Sequence, residues 1–300
     1  MAAWRSGTLD LLRRLRRNPL SLAGVGLITF FVLVALLAPV LAPPPPGHRD
    51  PYQIPHESFA PDPRPPHPGH PFGTTTEQFD LYYGIVWGTR TAFRVSLTVI
   101  GISVAIGLVV GGLAGYRGGR VDEVFMRLTD IFLAFPGLIL AVVIVAILGK
   151  GLDKVLIALS LVSWPTYARL LRGEILSIRQ RDFVEAARAL GAGDLRIFVR
   201  HIIPNTIYPV VVYGSLDMAS VVISAAALSF LGLGAEVGYA DWGMLINLSR
   251  SWIIGSPGHA LEYWFTFVFP GAAISLFVLG WNLLGDAFRD ILDPRLRGSR

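Results

Sequence analysis

The sequence predicts an all-α integral membrane protein with about six transmembrane helices, interrupted once by a pair of short amphipathic helices. Three observations predict it. Of the 300 residues only 16% are charged while 53% are hydrophobic, whereas a soluble protein carries about 25% charged residues to supply a polar skin. The apolar residues fall in runs close to the ~20 that a bilayer span requires. The basic residues are shared unevenly among the segments that join those runs.

The first element is an N-terminal tail, residues 1–19, carrying Arg13, Arg14, Arg16 and Arg17. A first transmembrane anchor follows at 20–42, with no charge from Ser21 to Ala42. Basic residues before an apolar stretch also open a secretory signal, but a signal's apolar region is only about 7–15 residues long. The run from Leu20 to Ala42 has 23, so it reads as an uncleaved anchor.

Residues 43–90 form an outer segment. Twelve of the chain's 21 prolines lie between Pro43 and Pro71. Proline fixes φ and removes a backbone donor, so extended, irregular chain is expected here. His48, His56, His67 and His70 also lie in it. Their irregular spacing suits a solvated linker better than a metal site.

Residues 91–288 hold five further apolar runs, near Val95–Tyr116, Leu128–Leu148, Val155–Leu171, Ile207–Leu233 and Tyr263–Leu284, before a tail at 289–300. Gly107, Gly111 and Gly115 recur at four-residue spacing, which puts them on one helix face and lets another helix approach closely. Pro136 and Pro165 sit inside apolar runs, where each frees a carbonyl and is expected to kink its helix. Asp217 is the most deeply placed carboxylate. Exposing it to lipid costs about 2.5–3.5 kcal/mol, so it either lines a pathway or is hydrogen-bonded between helices. Asp130 follows Arg127 by three residues, a spacing that suits an ion pair within one helix.

Orientation follows from the basic residues. With a cytoplasmic N-terminus and six alternating spans, 19 of the 26 Lys and Arg fall inside, as the positive-inside rule requires. Both termini are then cytoplasmic. Insertion and anionic headgroups account for the net charge of +5, so membrane lipid is a partner and nucleic acid is not invoked. With no cysteine in the chain, disulfides and thiolate metal sites are excluded. No catalytic constellation is found. His56-Glu57 lacks the second His of a zinc-protease motif, no GxSxG occurs, and "ILGKGLDK" lacks the glycine a phosphate-binding loop needs. The chain is read as no enzyme, with no metal site and no cofactor of its own.

Residues 182–205 are the amphipathic interruption, on the cytoplasmic side in this topology. Phe183, Ala187 and Leu190 share one helical face, and Asp182, Glu185 and Arg188 another. Gly191 follows where a left-handed cap is expected, and Asp194 stands where it can cap the next helix. Leu195, Phe198, Val199 and Ile202 make a second stripe opposite Arg196 and Arg200, and Pro204 is expected to end it. The stripes must be buried on headgroups, on the protein's own spans or on a soluble partner.

The segment "EAARALGAGDLRIFVRHIIPN" resembles the EAA loop of permease subunits in bacterial ATP-binding-cassette importers. "GYRGGRVDEVFMRLTDIFLAFPGL", "ALSFLGLG", "DWGML" and "WNLLGDAFRDILDPRLRG" resemble the dipeptide/oligopeptide and nickel branch of that family. Within it they resemble the second, C-type permease, which has an N-terminal anchor span. The resemblance covers residues 95–300 and, in kind, the first span. It implies half of a translocation pathway in the bacterial inner (cytoplasmic) membrane, for di- or oligopeptides, or alternatively nickel or another small solute. It implies as partners a second homologous permease subunit, two ATPase subunits that bind ATP and Mg, and an extracytoplasmic solute-binding protein. Glu185, Ala186, Ala187, Arg188, Gly191 and Pro204 would then form the ATPase-coupling element. Two departures stand out: "FGTTTEQFDLYYGIVWGTR" lacks the charged core of the family's "FGTDxxGRDVxSR", and Ala225 stands where relatives often carry Glu. A self-sufficient secondary transporter, the competing class, needs inverted repeats and intramembrane ion ligands; Asp217 alone hints at these.

Overall fold

The computed structural model describes residues 18–56, 60–255 and 261–292; the expected tail arginines Arg13, Arg14, Arg16 and Arg17 and the end of the C-terminal tail lie outside them. Ten α-helices are described: α1 Pro19–Leu41, α2 Leu81–Arg117, α3 Gly119–Leu133, α4 Gly137–Leu148, α5 Leu152–Arg179, α6 Asp182–Ala189, α7 Asp194–Ile197, α8 Ile203–Phe230, α9 Trp242–Leu248 and α10 Phe265–Leu292. Local chemistry sets several starts. The Asn18 side chain accepts the Leu20 N–H and Pro19 stands in the first turn of α1, where its missing donor costs nothing. Asp80 accepts from the Tyr83 N–H at 3.0 Å at the head of α2, and Asp241 from Met244 at 2.9 Å at the head of α9.

Four helical runs are long and apolar enough to cross a membrane: α1, α2, the continuous run from α7 through α8, and α10. α3 and α4 make a fifth if taken together, but they are bent by 88°. The kink expected at Pro136 within the run Leu128–Leu148 is therefore present, as a break between two helices: Pro136, the residue before α4, stands in the bend, because its ring cannot continue the preceding helix. α5 falls outside that group because Arg169, Arg172 and Glu174 charge its second half. Yet it has 28 residues, about 42 Å at 1.5 Å each, and it lies parallel to α2. Arg94 of α2 pairs with Asp153 near the head of α5, and Arg179 at its tail donates to the Tyr116 carbonyl at 2.7 Å. α5 thus traverses the same depth as α2. Pro165 is buried inside it, and the helix continues through it.

The glycine face explains the α2–α5 packing. A Cβ on Gly107 would lie 2.6 Å from the Tyr167 Cβ, and one on Gly111 only 2.2 Å from the Ala168 carbonyl oxygen. Backbone meets backbone here, as the glycine spacing predicts. Asp122 and Asp130 of α3 pair with Arg172 and Arg169 of α5. The expected Arg127–Asp130 pair does not form: Arg127 bonds Glu123 at 2.6 Å, one turn back, and Asp130 is taken by a different helix.

α1 is clamped by side chains of α2. Pro39 leaves the Ala35 carbonyl without its helical N–H, and the Arg90 Nε donates to it at 2.5 Å. Trp87 Nε1 donates to the Ala42 carbonyl at 2.9 Å, and Tyr82 Oη to that of Leu41 at 3.2 Å. The proline-rich segment Pro43–Pro71 is largely exposed, as expected of a solvated linker, but it is pinned at several points and the residues just after it are buried. Ile54, Thr74, Thr75, Gln78 and Phe79 are buried, Tyr52 stacks on Tyr239 with ring centres 5.5 Å apart, and the His70 ring bonds Asp80 at 2.7 Å. It is irregular, as its prolines require, but packed as a cap over α2 and α9. Among the described residues it contributes isolated bridges rather than strands.

Candidate functional site

Two places bring together residues singled out by the sequence: the short helices at 182–205 and the surroundings of Asp217. α6 carries Asp182 and Glu185 in its first turn and Arg188 in its last, so all three charges complement the helix dipole. It ends as expected at Gly191, whose φ is +83°. The Gly191 N–H bonds the Arg188 carbonyl at 3.0 Å and the Ala192 N–H bonds that of Ala187 at 3.1 Å. This is the paired Schellman closure, which needs a left-handed residue at that position. A Cβ on Gly191 would meet no atom within 4 Å, so the requirement is one of backbone conformation alone.

Two expectations about the second helix are corrected. Gly193, not Asp194, precedes α7, and no side chain caps it. The Asp194 carboxylate instead accepts from Tyr116 Oη at 2.7 Å, tying α7 to the end of α2. Pro204 does not end the helix either. Residues Phe198–Ile202 form a π-turn that runs directly into α8. A proline ring collides with the carbonyl four residues back, here that of Arg200, and the wider turn relieves the collision.

The structure divides each apolar stripe between an inner and an outer face. Val184, Ile197 and Ile202 are fully buried against Ile175 of α5, with Tyr116, Ala187 and Phe198 packed around them. Phe183, Leu190, Leu195 and Val199 are not buried on the protein's own spans but exposed, Leu190 at 89% and Leu195 at 77%. Periodicity permits either stripe, and only the position of α5 selects between them. The pair therefore presents apolar side chains outward beside exposed Glu185, Ala186 and Arg188.

Asp217 is half-buried on α8 and accepts from Tyr167 Oη at 2.9 Å. Tyr167 is fully buried on α5, next to Gly107 of α2, and its ring meets Tyr213 edge-on at 5.3 Å. Asp217 thus joins α8 to the α2–α5 pair. Sequence reading missed Tyr167, which lies 50 positions away with no spacing signal to mark it. Pro136 and Pro165 are brought to neither place. No group of three or more His, Cys, Asp or Glu among the described residues is arranged to hold a metal ion.

Residues 107–298 match the family described as the inner membrane component of binding-protein-dependent transport systems. This chain belongs to that family. Residues 8–61 of the permease also match the N-terminal transmembrane domain of oligopeptide transport permease C. It is 36% identical to the dipeptide transport system permease protein DppC of Alkalihalophilus pseudofirmus, over 99% of this chain and 91% of that one. It is 40% identical to the glutathione transport system permease protein GsiD of Pectobacterium atrosepticum, over 77% of this chain and 75% of that one. Among solved structures, the permease resembles the inward-facing methionine ABC transporter MetNI. The TM-score is 0.55 at 20% identity, over 70% of this chain and 97% of that one. An amino acid ABC transporter with histidines gives 0.51 at 19%, over 70% and 94%. These likenesses establish the fold. The permease is thus a multi-pass membrane subunit of an ABC-type importer.

Proposed function

We propose that the permease lies in a bacterial inner membrane with both termini cytoplasmic and encloses a translocation pathway with a second homologous permease subunit. Residues 182–205 dock one of two ATPase subunits, which bind the ATP and Mg. The proline-rich cap faces a solute-binding protein. Di- or oligopeptides are the proposed solutes, by likeness to relatives named for dipeptide and glutathione transport. The proposed division is an anchor at 20–42, an outer segment at 43–90 and a core at 91–288.

The observation that carries the docking role is the outward face of α6 and α7. Leu190 and Leu195 stand almost fully exposed on a scaffold whose inner face is already satisfied by Val184 and Ile197. Apolar groups left out of a small helix pair in this way mark a contact surface. Glu185, Ala186, Ala187, Arg188 and Gly191 shape that surface, and Pro204 sets the turn that leads from it into α8. Asp217 is proposed to hold α8 in register with α5 at the pathway wall.

Leu190→Asp combined with Leu195→Asp tests the docking role. Neither side chain is in the buried cluster, so insertion and yield should stay normal. The purified complex should lose its ATPase subunits, and uptake into vesicles should fall with them. A full complement of ATPase together with wild-type uptake would refute the docking surface.

A further inference from the structure

A cleft of about 540 Å³ opens where α2 leaves the membrane-spanning bundle and meets α7. Arg117, Arg179 and Arg188 line it from three different helices, with Asp194 as the one carboxylate in the lining. Asp194 already accepts a hydrogen bond from Tyr116. Arg179 is held in place by the Tyr116 carbonyl through Nη1, and Arg188 stands in the same lining. Among the described residues, Arg117 makes no ion pair and is exposed. Leu113, one turn before Arg117 on α2, and Phe198 on the π-turn give the same cleft an apolar wall. The cleft therefore joins a net positive mouth to an apolar flank at the end of a membrane-spanning helix.

We infer that this cleft binds the phosphate headgroup of an anionic phospholipid, with an acyl chain against Leu113. Guanidinium groups match phosphate oxygens geometrically, donating two parallel bonds. Basic pockets between the ends of spans take such headgroups. The apolar wall is what separates a lipid from free phosphate, since inorganic phosphate gains nothing from Leu113 or Phe198. The cleft shares Arg188 and Leu195 with the proposed docking face, but the test reads lipid retention at Arg117 and Leu113, so the inference can fail while the proposed function stands.

Purified permease complex in phosphatidylcholine nanodiscs doped with phosphatidylglycerol, examined by native mass spectrometry after detergent release, provides the test. Wild type should retain phosphatidylglycerol in preference to phosphatidylcholine. Arg117→Gln should weaken that retention about fivefold, the effect of one arginine near an anionic lipid. Leu113→Ser should weaken it as well, whereas Arg120→Gln, outside the lining, should leave it unchanged. Arg117→Lys should restore part of it, which separates charge from any effect on folding. Equal retention of both lipids would overturn the inference. So would displacement of phosphatidylglycerol by inorganic phosphate, or loss of ATPase subunits from Arg117→Gln with lipid retention intact.

Discussion

The α2–α5 interface and the α6–α7 pair both rest on glycines singled out by the sequence, but the glycines do opposite things. At Gly107 and Gly111 the missing side chain is a matter of space, because a neighbouring backbone occupies the place where Cβ would be. At Gly191 the space is open and the missing side chain is a matter of φ. The first region is closed between its helices: α5 is held by packing on α2 and by the Asp122–Arg172 and Asp130–Arg169 pairs to α3. The second has a satisfied inner face and an apolar outer one left without a partner. The contrast teaches that a glycine can serve close packing in one region and backbone conformation in the other, and that only the second leaves an apolar face exposed.

The largest effect that could break this contrast is Gly111→Leu. Its Cβ would press on the Ala168 carbonyl, which cannot move without separating α2 from α5. A loss of about 3 kcal/mol or more is expected, at the upper end for overpacking. It is read as a collapse in folded yield and a lower Tm in detergent. A wild-type Tm would mean that the two backbones are not in contact.

A smaller effect is expected at Asp217. Asp217→Leu strands the buried Tyr167 hydroxyl without its acceptor, at a cost of about 1–3 kcal/mol. Asp217→Asn keeps an acceptor oxygen and should retain both yield and transport. Normal yield with altered uptake in Asp217→Asn would instead make the carboxylate part of the pathway surface.

Gly191→Val sharpens the other side of the comparison. With no atom in the way, the cost is the left-handed backbone alone, about 1–2 kcal/mol. The spans are untouched, so insertion should be normal and thermal unfolding little changed. ATPase stimulation by solute should fall, because α7 shifts against α6. If Tm falls as far as in Gly111→Leu, the pair is part of the rigid frame and the contrast disappears.

How much could be read in advance depended on the range of the interaction. The Gly191 cap, the glycine face of α2 and the limits of α1 follow from short-range pattern and appear where it puts them, whereas α10 runs to Leu292, past the expected Leu284. The errors share one cause. Asp130 has a partner three residues away on paper and a better one on α5. Asp194 could have capped α7, but Tyr116 lies closer in space. In each case sequence offered two local solutions of similar energy, and a helix distant in the chain chose between them.

By itself, then, the sequence determined that this chain crosses a membrane repeatedly, which end of the bundle is richer in arginine, and where a left-handed glycine must break the amphipathic block. These are properties of composition and of hydrogen bonds spanning four or five residues. Only the tertiary structure decided that the charged half of α5 pairs with α3, that Tyr167 holds Asp217, that Arg90 takes the carbonyl freed by Pro39, and which stripe of α6 and α7 remains outside. Those outcomes depend on groups tens of residues apart sharing one volume. Burial makes an unmet donor or carboxylate costly there, and no local period records which distant group will meet it.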